Sequence, residues 1–413
     1  MKNKENSALI AVVPERVGTR NAVAVERPGE ARLAPIPLAV PDLRGREAEY
    51  LLQCVRDNWV STAGPFVTEL ERRLAALAGT EHGIATVNGT AALHLALMGA
   101  GVQAGSRVIV PDWTFVATVN AICHSGAEPL FVDVTADSWS LDPALVDEIL
   151  SRRDHGVSAV IAVDPLGHPA DMDALRFVCK RAGVVLIEDA AGAIGASYKG
   201  RPCGGLADFG TFSFNGNKTV TAGGGGMIVT NDGAVAKRLR SISAQARATA
   251  EYVFEEVGWN YRMTNVNAAI ALAQLERLDE MLSTKRKIAD RYDRALAGRN
   301  DLVPMPRRPW AESGCWHYGV LTGDESDTGA LLAHMKACAI EARTFWRSLS
   351  EQKPWRGAGR ELRGVSQRLS GKVVVLPCST DITDEQLHRV TAALKSFRGS
   401  HVVEARWTHF SGR

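Results

Sequence analysis

Long apolar runs are missing from this 413-residue chain. None approaches the ~18 residues of a membrane-crossing helix, so no span is expected. Cysteine pairing is also missing. Seven cysteines (Cys54, Cys123, Cys179, Cys203, Cys315, Cys338, Cys378) are scattered with no Cys-x-x-Cys among them. That pattern speaks against a zinc site or a disulfide framework and for buried free thiols in a reducing compartment. Neither sign of charge is in excess: the net charge is +2, with acids and bases interleaved. Nucleic acid and anionic membrane are therefore not expected as partners. The basic start and the short apolar stretch Ala8–Val13 lack a small-residue cleavage site behind them. A signal peptide is not expected, and the reading is cytoplasmic.

What is present is an ordinary globular composition, 46% hydrophobic and 23% charged, in a chain too long for one core to keep growing. Residues 1–35 lack periodicity and read as a flexible arm. Apolar spacing predicts helices over Leu43–Asn58 and Phe66–Leu77. Short apolar runs then alternate with helical stretches: Gly83–Val87, Arg107–Val110, Leu130–Val134, Val157–Val163 and Val184–Ile187 are the expected strands. Such alternation implies an α/β fold with a mostly parallel sheet. Met263–Leu282 reads as one long helix, extended through Lys285, Tyr292 and Leu296. The expected division is a large domain over 36–282, a smaller α+β C-terminal domain over 283–400, and a tail over 401–413.

The segment Val185–Asp232 carries most of the chemistry. Asp189 follows an apolar strand, at the carboxyl edge where parallel sheets bind ligands. A carboxylate there can hold a proton on a pyridine nitrogen and keep the ring an electron sink; capping a helix is its plain alternative. Lys218 comes just after the strand Thr211–Asn215, between Asn217 and Thr219 and ahead of Gly223–Gly226. Partial burial would lower its pKa and free the amine to attack an aldehyde, while the glycines admit close backbone approach. Asn88-Gly89-Thr90-Ala91-Ala92 opens a helix after a strand, offering N–H groups and a hydroxyl to a phosphate. Ser213 is a further hydroxyl, and either Trp113 or Phe115 could stack on a planar cofactor. Gly216–Thr219 is similar to the end of a P-loop, but Asn217 separates glycine from lysine, so triphosphate hydrolysis is not expected.

Taken in order, NGTAAL, PDWTFVATVN, GHPADMDAL, IEDAAGAIGA, FSFNGNK, GGGG and GWNYRMTNVNAAIALAQLE resemble the DegT/DnrJ/EryC1/StrS family over roughly residues 36–397. The resemblance implies the PLP-dependent transferase fold of type I, with pyridoxal 5′-phosphate (PLP) as cofactor and no metal. It implies an aminotransferase that moves an amino group from glutamate to a nucleotide-linked keto-sugar. Matched positions imply Lys218 as the Schiff-base lysine, Asp189 as the partner of the pyridine nitrogen and Phe115 as the stacking ring. They imply Gly89, Thr90 and Ser213 at the phosphate, with Ala91 beside them. Asn260 would reach the cofactor phosphate of a neighbouring subunit, in a homodimer with shared active sites.

Ser61 and Thr62 in the WVSTAG turn, His168, and Arg343 in EARTFW are candidate sugar-nucleotide contacts; a guanidinium fork suits a diphosphate. The wording of FSFNGNK, GGGG and EVGWNYRMTN is most similar to a branch that aminates C4 of UDP-linked 4-keto-6-deoxy-N-acetylhexosamines, on routes to bacillosamine- and legionaminic-acid-type sugars. The other readings are a different nucleotide keto-sugar or aminocyclitol ketone, a PLP-dependent sugar dehydratase, and a non-catalytic PLP- or sugar-binding regulator. Relatives that dehydrate carry histidine at the lysine position, so Lys218 opposes the dehydratase. Departures from the family pattern are Gly192, where a His, Gln or Glu is common, Gly224 at a common Glu, and Asp164-Pro165 before Leu166.

Overall fold

Apolar runs that are buried on both faces must be covered by helices on both sides, and that requirement shapes the chain. A computed structural model describes residues 33–247 and 252–404. The expected arm up to residue 32 and the tail from 405 lie outside the described residues. After α1 (Glu47–Arg56) and α2 (Pro65–Ala78), strands and helices alternate: β1 (His82–Thr86), α3 (Gly89–Gly99), β2 (Arg107–Pro111), α4 (Val116–His124), β3 (Glu128–Val132), α5 (Pro143–Leu150), β4 (Val157–Val163), α6 (Met172–Ala182) and β5 (Val185–Asp189). A small hairpin, β6 (Ser197–Tyr198) and β7 (Arg201–Pro202), leads to β8 (Phe209–Ser213), β9 (Gly226–Thr230) and α7 (Gly233–Ser243).

The second half comprises α8 (Asn265–Leu275), α9 (Leu278–Leu296), β10 (Leu302–Pro304), β11 (Ala311–Glu312), β12 (Tyr318–Thr322), α10 (Glu325–Ala337), β13 (Arg343–Thr344), β14 (Gly359–Glu361), α11 (Val365–Leu369), β15 (Val373–Leu376) and α12 (Asp384–Ser396). The large sheet has the order β1-β9-β8-β5-β4-β2-β3-β14, with β9 running against the others. One face is covered by α3, α4 and α7, through Leu93, Val119 and Leu239. The other is covered by α2, α5, α6 and α8, through Leu70, Val146, Leu175 and Ala268. A second, antiparallel sheet, β10-β12-β15-β13, packs on α9, α10 and α12. The described residues from Pro35 onward cluster as one unit.

Three expectations change. The single helix over Met263–Leu282 is two helices that break at Glu276–Arg277. There the Arg277 guanidinium turns to the buried Asp42 carboxylate (3.2 Å), an ion pair that a continuous apolar stripe does not reveal. The first helix starts at Glu47 rather than Leu43, because Asp42 and Arg44 pair with each other in the preceding loop. Strand β14, from the region expected in the C-terminal domain, joins the large sheet beside β3. Its Gly-Arg-Glu sequence has no apolar signal; the buried Asp133 carboxylate holds the neighbouring chain by accepting N–H groups of Arg363, Val365 and Ser366.

Candidate active site

Register brings the functional segments to one edge of the large sheet. β4 and β5 pair in parallel with Val163 opposite Asp189, and β5 and β8 pair with Asp189 opposite Thr211. Ser213 and Thr86 both stand opposite Gly226, so the ends of β1 and β8 and the start of β9 meet at the same level. The carboxyl ends of parallel strands form this edge, where α/β sheets bind ligands.

The anion cradle is built by close approach. A Cβ at Gly89 would lie 2.9 Å from Ser213 Cβ, and one at Gly226 would lie 2.6 Å from the Asn88 carbonyl carbon. Only hydrogen fits at either position. Asn88 caps α3, its Oδ1 accepting the Ala91 N–H at 2.8 Å. The Ala91 N–H is thus used inside the protein. Gly89 and Thr90 supply the first-turn N–H groups that a helix leaves without partners, at the positive end of its dipole.

Asp189 is buried at 5% exposure. Burial pushes its carboxyl above the usual carboxylate range, and three features oppose that shift: the Thr118 hydroxyl, the positive charge of Lys218 and the Ala191 N–H. Thr118 Oγ1 donates to Asp189 Oδ2 at 2.8 Å, a contact the sequence reading missed. Thr118 lies in the first turn of α4, on the same sheet edge, in the PDWTFVAT stretch already singled out. Lys218 follows β8; as a residue it is half-buried, yet desolvation of its ammonium lowers the pKa to about 7, with Asp189 opposing. The two groups act on each other through space, and the amine rests on the Trp316 ring, 3.4 Å from its centre.

Of the two aromatic candidates, Trp113 is core, 1% exposed and packed on Trp139 and Trp346. Phe115, at the start of α4, is 54% exposed and available to a ligand. Asn260 is exposed on the segment that bridges back to Ala244. Ser61 is exposed and Thr62 half-buried in a turn tied to α8 by Asn265 N–H donating to the Ser61 carbonyl (2.6 Å). His168 is buried, and both ring nitrogens are engaged by backbone: Nδ1 with the Pro169 carbonyl (2.8 Å), Nε2 with the Arg308 N–H (3.1 Å). Burial lowers its pKa to about 4, and no ring nitrogen is left for a sugar. Arg343 is exposed and paired with Glu341 (2.6 Å).

An amine with a lowered pKa, a buried carboxylate supported by a hydroxyl, and a glycine-walled helix start together fit PLP: aldehyde, pyridine nitrogen and phosphate each find a matching group. Residues 41–395 match the model of the DegT/DnrJ/EryC1/StrS aminotransferase family. The chain belongs to this family. It is 36% identical to the GDP-perosamine synthase of Caulobacter vibrioides, across 88% of this chain and 98% of that protein. The crystal structure of DesI with its TDP-sugar product is 32% identical, covering 87% of this chain and 92% of the other, with a TM-score of 0.80. The PLP form of Spr1654 from Streptococcus pneumoniae, described as a sugar aminotransferase, is 26% identical over 88% and 98%, with a TM-score of 0.82. As a member of the DegT/DnrJ/EryC1/StrS family, the protein is a PLP-dependent sugar aminotransferase of fold type I. The large sheet with helices on both faces agrees with that fold.

Proposed function

We propose that the enzyme transfers the amino group of glutamate to the C4 ketone of a nucleotide-linked 6-deoxy sugar, working as a cytoplasmic homodimer. The observation that carries the catalytic part is a desolvated Lys218 amine within electrostatic reach of the buried Asp189 carboxylate, beside a glycine-walled helix start. The relative named GDP-perosamine synthase favours a guanosine diphosphate carrier. It weighs against the UDP-linked N-acetylhexosamine suggested by the FSFNGNK and GGGG wording, which stays as the second reading. The GDP in the synthase's name and the TDP-sugar product of DesI together name two different nucleotides among the relatives.

The chemistry PLP supplies is an aldehyde to carry the amino group and a ring to absorb the electron pair left by a broken C–H bond. The chain does the rest. Asp189 keeps a proton on the ring nitrogen, and Thr118 steadies the carboxylate oxygen. Burial lowers the pKa of Lys218 Nζ to about 7, so the amine can take a proton from the donor Cα and would deliver it to the aldehyde carbon of the cofactor. Gly89, Thr90 and Ser213 hold the phosphate, with Ala91 serving the cap beside them, and Phe115 covers one ring face. Asn260 reaches across to the neighbouring subunit's phosphate. Ser61 and Thr62 in their turn, and Arg343 once released from Glu341, are the sugar-nucleotide contacts to test.

Replacing Lys218 with Ala should remove the yellow absorbance of lysine-bound cofactor and lower turnover by about 10⁴-fold. A variant that stays yellow and active would sink the assignment. Incubating holoenzyme and glutamate with GDP-, UDP- and TDP-linked 4-keto-6-deoxy sugars, scored by mass, decides the carrier.

A further inference from the structure

Gly192 lies in the turn just beyond Asp189, the last residue of β5. The structure shows what fills the space. A Cβ at Gly192 would lie 2.6 Å from Trp316 Cε3, so the indole occupies the volume a side chain would need. Trp316 lies just before β12, far from Lys218 in sequence, and it is buried. Its placement is determined from several sides. The indole N–H donates to the Asn217 carbonyl at 2.8 Å, one residue from Lys218. The Trp316 carbonyl accepts from Lys285 Nζ at 3.2 Å. Gly167, with φ +94°, leaves room for the Trp316 backbone: a Cβ there would come within 2.9 Å of its nitrogen. The ring face left over points at the Lys218 amine.

We infer that Trp316 is the positioning residue for Lys218: its ring face holds the amine in the charged state between proton transfers, and Gly192 is glycine to admit that ring. This inference rests on the reading of Lys218 as the cofactor lysine. An ammonium over an indole face is attracted by the ring quadrupole, most strongly where water is excluded. Lys218 therefore has two supports for its positive charge, Asp189 from β5 and the Trp316 face. Against them stands desolvation, and the charges of Lys218 and of Lys285 from α9 both act on the buried His317 ring beside Trp316. The indole N–H bond to Asn217 adds a second function, tying the loop that carries Lys218 to the strand β12 region.

The test uses full-length holoenzyme with Trp316→Phe, which keeps a ring face, Trp316→Leu, which removes it, and Gly192→Ala, which displaces it. Visible absorbance is titrated against pH, and kcat and KM for glutamate are measured across the same range. Trp316→Leu and Gly192→Ala should move the lysine-linked titration down by about half a pH unit or more. They should also lower kcat about tenfold with little change in KM, while Trp316→Phe stays within about threefold of wild type. If Leu and Phe behave alike in the titration, or if all loss tracks PLP affinity or melting temperature, Trp316 is only packing and the inference falls. Failure of the Lys218 reading is distinguishable: borohydride would then fix cofactor to a residue other than Lys218 in the wild-type protein.

Discussion

Asp189 and Lys218 are ordinary residue types made unusual by burial. Removing a carboxylate from water raises its pKa and removing an ammonium lowers its own, and both shifts occur here at one sheet edge. Thr118 opposes the first shift directly, with a hydroxyl 2.8 Å from Asp189 Oδ2. A hydrogen bond to a charged acceptor contributes roughly 1.5–3 kcal/mol. Thr118→Val, which keeps the shape, should therefore lower kcat by about tenfold or more, with PLP affinity also weakened. Steady-state kinetics on the reconstituted variant would check this, and an unchanged kcat would remove Thr118 from the site. Lys218 and Asp189 were legible from the sequence because each follows an apolar strand. Thr118 was not, since a threonine in a first helical turn has no signature until its partner is placed.

At the scale of elements, β4 and β5 deliver more than Asp189. Asp164 just beyond β4 and Glu188 on β5 are both buried, in contact with Cys203. Asp164 Oδ2 and Glu188 Oε1 lack partners unless a proton lies between the two carboxyls. Burial and mutual repulsion push Asp164 well above its usual range, and burial raises Glu188 to about 7. The folded pair thus retains a proton that the unfolded chain releases above about pH 4.3. Its stability is fully present below the unfolded pKa values and declines as pH rises toward 7 and beyond. Asp164→Asn removes one of these ionisations. The melting temperature of this variant should gain on wild type between pH 5.5 and 8, by about 2 °C or more. A pH-independent difference would show that the pair does not share a proton. The same scale explains the misread helix: the break between α8 and α9 depends on Asp42, far upstream, pairing with Arg277.

For the whole molecule, the exposed apolar side chains are the feature to explain. Trp59 and Val60 stand out beside the Ser61–Thr62 turn, and Phe254 and Val257 beside the segment that carries Asn260. Exposed apolar side chains grouped along a segment mark interaction surfaces, and their position in sequence next to residues proposed for a shared site favours the proposed homodimer. Val257→Asp should weaken self-association by about tenfold or more, seen by light scattering at micromolar concentration, and cofactor absorbance should fall with it. A variant that remains dimeric and yellow would exclude this surface as the interface. Among the described residues, no helix is long and apolar enough to cross a membrane.

The sequence by itself determined the alternation of strands and helices, the strand-end placement of Asp189 and Lys218, and the glycines at the cradle. These are local: periodicity, strand ends and backbone freedom are written within a few residues of one another. Tertiary structure decided which aromatic is core and which is exposed, that Ala91 serves the cap, and that His168 is satisfied by backbone. It also placed Trp316 against Gly192 and Lys218, although the tryptophan and the lysine lie on segments far apart in the chain. Such contacts depend on packing between distant segments, and packing density leaves no trace in local residue spacing.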